Sequence, residues 1–212
     1  MAALSRKNIK LGIIDYAASN LRSVEKAFTH LGADVIVSSK SEELDKVDAL
    51  IFPGQGSNDS AMQALDKASL VQPIVDFVKD DRPFLGICMG LQLLMQSSEE
   101  GIEPCFGLFD GNVKKFSGKM KVPHMGWNQV LPTRKHQVFN NLPIEPYFYF
   151  VHSYYADPLD KNLVLATTDY GNKFASAISY GNLVAVQFHP EKSGSIGLEF
   201  YRNFLQFVKV NV

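Results

Sequence analysis

The residues best suited to chemistry in this sequence are Cys88, His189 and Glu191. Cys88 lies in the stretch PFLGICMGLQLLM, residues 83–95. Residues 83–87 read as a short apolar strand, and Leu91, Leu93, Leu94 and Met95 continue past the cysteine as a helix with an apolar face. Strand, sharp turn and helix with one reactive side chain at the turn is the pattern of a nucleophile elbow, here with a thiol in place of a hydroxyl. Gly86 and Gly90, two positions to either side, suit a turn whose backbone packs too tightly for a nearby Cβ. At a helix N-terminus, unpaired N–H groups and the helix dipole favour a thiolate. The stretch alone leaves a buried structural cysteine equally open.

Residues 184–192 read VAVQFHPEK: an apolar strand ending at Phe188, then His189 and Glu191 around Pro190. In extended backbone residues i and i+2 point the same way, so the imidazole and the carboxylate would share one face. Pro190 keeps His189 out of helical conformation. An imidazole takes the proton of a thiol, and a carboxylate holds the ring's tautomer and stabilises its charged form. Taken alone, the segment also fits a loop with a surface His and Glu. A third stretch, Pro53-Gly54-Gln55-Gly56, follows another apolar run. A glycine-rich loop beside a nucleophile supplies N–H donors to a developing oxyanion, with the Met89 N–H as a second source; a plain strand-to-helix turn is the competing reading. A metal would need a further ligand from His124 or His152, and no dense His/Cys/Asp cluster accompanies them, so no metal is expected. His30 and His136 read as solvated surface residues, and Cys105, without an adjacent base, as structural.

The elements that must carry these groups follow from the apolar pattern. Strands are expected at 9–15, 34–38 and 49–52, and helices at 20–31, 58–65 and 70–79. Asn20 is the expected N-cap of the first helix, with Leu21, Val24, Phe28 and Leu31 along one side. This alternation predicts an α/β fold with a parallel sheet covered on both faces. After about residue 101 the segments 111–117, 122–131, 147–153, 163–168, 175–180 and 183–188 are short and β-rich. A hairpin turn is expected at Gly181-Asn182, and a last helix at 195–208 carries Ile196, Phe200, Phe204 and Phe207. The expectation is a central, mostly parallel sheet flanked by helices, with an antiparallel portion in the second half. Ligands of such sheets bind beyond the strands' carboxyl ends, where both Cys88 and the PGQG loop fall.

Composition sets the remaining bounds. A length of 212 residues is compatible with one domain, expected over 9–212 behind a flexible tail at 1–8. A net charge of −1 gives no case for nucleic acid or anionic membrane as a partner. Two cysteines outside CxxC spacing argue against a disulfide framework and for a reducing, cytoplasmic setting. No window approaches the roughly 20 apolar residues of a membrane span.

Together GICMGLQLL, QFHPEKS and PGQG resemble the class I (triad) glutamine amidotransferases. KVPHMGWN at 121–128, YFYFVHSYY at 147–155 and QFHPEKSGSIGLEFYRNF at 187–204 narrow the resemblance to the glutaminase subunits of imidazole glycerol phosphate synthase, over nearly the whole of 9–207. The resemblance implies a flavodoxin-like class I amidotransferase fold and a Cys88–His189–Glu191 triad that hydrolyses glutamine without a cofactor. It implies an oxyanion site around Gly54, Gln55, Gly56 and Met89, and glutamine contacts from Gln92, His152, Ser153 and Tyr154. It also implies delivery of ammonia to a (β/α)8-barrel cyclase in histidine biosynthesis, with Pro123, Met125, Trp127, Tyr149 and Lys192 around the heterodimer contact. A lone tryptophan among aromatics suits an interface anchor; core packing is the competing role for Trp127. In such enzymes the oxyanion loop is misassembled until the partner's ligand binds, which here would involve the peptide between Gly54 and Gln55. Two departures stand out: Gln55 where the family usually has Val, and Met89-Gly90-Leu91 where it has Leu-Gly-Met. Both act mainly through backbone, but they keep open a paralogue that feeds ammonia to a surface-sugar synthase. A catalytically silent partner-binding scaffold of the same fold would be expected to lose a triad residue, and all three are present. The PHMGWN and VHSYY segments argue against a thiol peptidase or γ-glutamyl hydrolase.

Overall fold

The computed structural model describes residues 9–16, 20–118 and 120–212. The tail expected over 1–8 lies outside the described residues. The apolar runs become β1 (Lys10–Ile14), β2 (Asp34–Ser38), β3 (Ala49–Gly54) and β4 (Phe84–Cys88), paired in parallel in the order β2-β1-β3-β4; β1, β3 and β4 are covered on both faces, and β2, at the sheet edge, is partly exposed. Between them run α1 (Leu21–His30), α2 (Ser41–Leu44), α3 (Asn58–Lys67) and α4 (Val71–Lys79), and α5 (Met89–Gln92) follows β4.

The second half adds β5 (Ser97–Ser98), β6 (Gly111–Lys115), β7 (His124–Gln129), β8 (Leu131–Pro132), β9 (Tyr147–His152), β10 (Tyr154–Pro158), β11 (Val164–Asp169), β12 (Lys173–Tyr180) and β13 (Leu183–Val186), and ends in α6 (Gly194–Asn211). β13 pairs in parallel with β4, and β12, β11 and β8 continue the same sheet antiparallel, giving the order β2-β1-β3-β4-β13-β12-β11-β8. The antiparallel portion is therefore an extension of the central sheet, fused through the expected turn at Gly181-Asn182, where Gly181 takes φ +51°. β10-β6-β5 form a small second sheet, and β7 and β9 an isolated two-stranded ribbon.

Side-chain alternation divides the core. Leu11, Ile13, Ile51 and Leu85 meet Val24 and Phe28 of α1 and Phe200 and Phe204 of α6 on one face of the sheet. Ile14, Leu50, Phe52 and Phe84 meet Leu65 of α3 and Ile74 and Phe77 of α4 on the other.

Several expectations need correction. The helix after Cys88 is a single turn, not a run through Met95. Leu91, Leu93, Leu94 and Met95 are all fully buried, and the carbonyls of Leu93, Leu94, Met95 and Gln96 are taken by N–H groups of segment 105–109, which ends the helix. A one-turn helix has little macrodipole to offer Cys88. Asn20 stands at the start of α1 but makes no capping bond, because its side-chain amide is committed elsewhere. His136 is half-buried: its Nδ1 accepts from the Val138 N–H at 3.3 Å and its ring packs 5.4 Å from Phe207. His30 is exposed, and Cys105 is buried with its thiol donating to Asn58 Oδ1 at 3.0 Å. Burial pushes that thiol up to about 12, which keeps it protonated and inert.

Candidate active site

The carboxyl ends of β1, β3, β4 and β13 lie side by side, and the site is built where they end. Cys88 closes β4 with φ +56° and ψ −103°, a conformation that L side chains rarely adopt. The strain is held by close packing on both sides of the turn. A Cβ on Gly86 would lie 2.5 Å from the Gly90 carbonyl oxygen, and one on Gly90 would lie 2.0 Å from the Phe52 carbonyl oxygen. Only glycine fits either position, as the spacing suggested.

His189 reaches the site from the end of β13. Its Nδ1–H donates to Glu191 Oε1 at 2.7 Å, and the ring and the carboxylate are both sealed from solvent. The two meet across a tight 3-10 turn at Pro190–Lys192, not along the extended backbone expected. The His189 N–H binds the Tyr149 carbonyl at 2.9 Å, which ties this turn to β9. The other ring nitrogen, Nε2, is buried without a hydrogen-bond partner, and Cys88 lies beside it. Burial works against the charged ring; attraction to the Cys88 sulfur and the Glu191 carboxylate outweighs it and holds the pKa up to about 10. The pairing favours the imidazolium, the state a general base reaches on taking a proton from sulfur.

Two residues complete this arrangement that the sequence did not point to as site residues, one of them expected only as a helix cap. The Asn20 side-chain amide donates to Glu191 Oε1, and the Tyr201 hydroxyl donates to Oε2 at 3.3 Å. The carboxylate that orients His189 is thus itself held from α1 and from α6. No local signal could mark them, since each lies far from Glu191 in the chain or reads as helix face.

Gly54 is in register with Cys88 across β3 and β4, so the PGQG loop starts beside that cysteine. Gln55, Gly56, Cys88, Met89, Gln92, His152, Ser153, Tyr154, His189 and Lys192 line one pocket of about 310 Å³, together with Val151 and Glu100. That volume is at the small end for ligand pockets and suits an amino acid. Glu100, missed in the sequence, is the acidic residue of this lining; it accepts from the Asn58 N–H at 2.9 Å, and burial pushes its carboxyl up. Tyr16, two residues past the end of β1, is 6 % exposed; its hydroxyl lies against the Gln55 backbone without completing a hydrogen bond of ordinary geometry. A larger cleft of about 770 Å³ lies away from Cys88, and its Arg134 and Lys161 are already bound to backbone carbonyls, Ser179 and Asp157.

The five residues expected at a partner contact gather on or beside the β7–β9 ribbon. Met125 and Trp127 are 61 % and 55 % exposed, so Trp127 is not a core residue. Trp127 stands edge-on to Tyr149 at 6.2 Å, and Lys192 Nζ lies 5.9 Å from the Tyr149 ring. Pro123 precedes β7 and is half-buried. His124 and His152 bind each other, and among the described residues no group of three or more His, Cys, Asp or Glu is placed to hold a metal ion. No helix of the described residues is long and apolar enough to cross a membrane.

A strained thiol, a carboxylate-braced imidazole and a glycine-rich strand end thus gather where the strands of a 2-1-3-4 parallel arrangement finish, and residues 12–207 match the family model "Glutamine amidotransferase class-I"; the chain belongs to that family. Within it, the chain is 44 % identical over 206 residues to a protein of Trichormus variabilis named imidazole glycerol phosphate synthase subunit HisH, covering 95 % of this chain and 98 % of that one. Its counterpart in Thermosynechococcus vestitus is 45 % identical over 203 residues (94 % and 97 % covered), and that of Cyanophora paradoxa 46 % over 202 residues (93 % and 94 %). Solved structures share the fold at low identity. PurLQS from Thermotoga maritima superposes with TM-score 0.72 at 16 % identity, covering 97 % of this chain and 99 % of that one. A glutamine amidotransferase from the same organism superposes with TM-score 0.66 at 18 % identity, covering 92 % and 81 %.

Proposed function

We propose that this chain hydrolyses glutamine to glutamate and ammonia and passes the ammonia to a (β/α)8-barrel cyclase partner, which makes imidazole glycerol phosphate and an aminoimidazole carboxamide ribotide in histidine biosynthesis. The observation that carries the reading is the His189 ring: Nδ1 bonded to Glu191, Nε2 buried with no partner and set beside Cys88. A buried nitrogen of this kind is costly unless its partner is a reacting group.

The Cys88 sulfur attacks the side-chain amide carbon of glutamine while His189 takes the thiol proton. The oxyanion that forms is met by N–H groups of the Gly54-Gln55-Gly56 strand end and of Met89. His189 returns the proton to the leaving nitrogen as ammonia departs, leaving a glutamyl thioester. Water, deprotonated by the same ring, then releases glutamate and restores the thiol. Glutamine is a zwitterion at its backbone end. Glu100 faces its ammonium group, while Gln92 and the Ser153–Tyr154 backbone hold the rest. The exposed Met125 and Trp127 and the half-buried Tyr149, with Lys192 at the rim of the same pocket, form the docking face for the cyclase. Loss of one oxyanion donor costs ~10²–10³ in turnover, so a misdirected peptide between Gly54 and Gln55 is a sufficient off-switch until the partner's nucleotide binds.

The test is ammonia release from glutamine by the chain with and without the cyclase and its nucleotide. The expected result is slow release alone, strong acceleration in the complex, and none with Cys88→Ala. Equal rates in both conditions remove the switch, and retained activity in the variant removes the triad. Complementation of a histidine auxotroph by the gene separates this acceptor from a sugar synthase.

A further inference from the structure

The β7–β9 ribbon has two faces, because side chains alternate along each strand. Met125, Trp127 and Tyr149 point outward. His124 and His152, partners in register across the ribbon, point inward and are 3 % and 6 % exposed. Their hydrogens can be assigned one at a time. His152 Nδ1 lies 2.8 Å from the Tyr154 carbonyl, which only accepts, so Nδ1 carries the hydrogen. Burial lowers the pKa of His152 to about 3, so the ring is neutral and its Nε2 is a bare acceptor. His124 Nδ1, 2.9 Å away, must then be the donor. Burial holds His124 down to about 4, neutral as well, which leaves its Nε2 to accept from Asn128 Nδ2 at 3.2 Å. The Asn128 amide is fixed in turn: Nδ2 also donates to the Asp169 carbonyl at 2.9 Å, and Oδ1 accepts from the Gln129 N–H at 2.8 Å. From Asn128 through His124 and His152, each successive donor of this chain points toward Tyr154.

The Tyr154 carbonyl is the junction. It accepts a second hydrogen bond, from Gln92 Nε2 at 2.8 Å. That amide gives its remaining hydrogen to Gln187 Oε1 at 3.0 Å, and Gln187 Nε2 approaches Cys88 Sγ at 3.5 Å. With both Nε2 hydrogens committed, Gln92 has its Oε1 to offer a substrate. The wall formed by Gln92, Ser153 and Tyr154 is therefore located by two donors on one carbonyl, one from the elbow and one from the ribbon.

We propose that His124 is a positioning residue for glutamine: through His152 it fixes where the Ser153–Tyr154 peptide and the Gln92 amide stand, and so sets glutamine affinity without touching the substrate. The inference rests on the glutaminase reading above. The rival is plain packing, since the His124 ring also stacks on Tyr170 at 3.9 Å and on Phe150 at 4.9 Å. Two variants separate them. His124→Phe keeps a flat ring for those stacks and deletes the donor to His152. His124→Asn loses the ring but carries an amide N–H close to where Nδ1–H stood.

Glutamine hydrolysis by the chain in complex with its cyclase partner is measured at varied glutamine, with melting temperature recorded alongside. His124→Phe is expected to raise KM for glutamine about tenfold with kcat within about twofold, the size of one lost buried hydrogen bond. His124→Asn is expected to recover most of the KM despite a lower melting temperature. Unchanged KM in His124→Phe overturns the proposal, as does a KM that tracks the melting temperature across both variants. Should His124→Phe fail to fold, His124→Leu, which also deletes the donor to His152, takes its place, and an unchanged KM there overturns the proposal equally. A wild-type complex that releases no ammonia from glutamine fails the glutaminase reading itself, a result distinct from either.

Discussion

His189 and the His124–His152 pair sit close together on neighbouring backbone, yet they are tuned in opposite directions. The pKa of His189 is raised to about 10 against 6.5 for an unperturbed histidine, so its contribution to stability is full below pH 6.5 and is lost as pH rises toward 10. His124 and His152 are lowered to about 4 and 3, so below pH 6.5 the unfolded chain binds protons that the folded one refuses, and stability falls as pH drops. The groups facing them are each other, Asn128, the Tyr154 carbonyl and His189, with no carboxylate among these to offset the loss. The melting temperature is therefore expected to decline on both sides of neutrality. Cys88→Ala should blunt the alkaline limb and leave the acid limb in place; an alkaline limb unchanged in that variant would contradict the His189 assignment. At this scale the sequence was most readable where partners are near neighbours. His189 and Glu191 are two positions apart, and the PGQG loop carries its own glycine signature. Asn20 and Tyr201 were not readable, because what they do is decided by a carboxylate brought to them by the fold. Asn20 in particular satisfied a local capping rule that lost to a charged acceptor from the far end of the chain.

At the level of elements, the elbow is the tightest point in the molecule. Gly90→Ala places a methyl group 2.0 Å from the Phe52 carbonyl oxygen, where backbone on both sides has no room to yield. A loss of at least ~1–3 kcal/mol is expected, read as a lower denaturant midpoint, together with collapse of thiol reactivity at Cys88. The same substitution at solvent-facing Gly118 is open apart from its φ of +101° and should cost less. The strand-helix alternation of residues 9–88 was legible because β1, β3 and β4 are covered on both faces, which leaves uninterrupted apolar runs, and because the edge strand β2 is rich in β-branched residues. β10 was missed because Asp157-Pro158 reads as a turn, although both residues pair antiparallel with β6. The helix after Cys88 was overextended for a related reason. Its leucines are apolar all round because they are buried all round, and periodicity cannot tell that from a longer helix.

On the scale of the whole molecule, the exposed face of the β7–β9 ribbon and the pocket behind it share one thin wall. Trp127→Ala is expected to weaken binding of the cyclase by about 2 kcal/mol, roughly thirtyfold, while slow glutamine turnover by the isolated chain stays as it was. Titration of the partner against the variant decides this; undiminished affinity would move the docking face elsewhere. The sheet order carries a different consequence, for biosynthesis. β13, which stands between β4 and β12 and leads to His189, is contributed by residues 183–186, far behind β4 in the chain. Until the ribosome has released that segment, the β4 edge lacks its neighbour and offers open backbone groups to any other chain nearby. The same delay keeps Cys88 apart from His189, so on the proposed mechanism a polypeptide still being made releases no ammonia. Chemical competence and closure of the sheet arrive together.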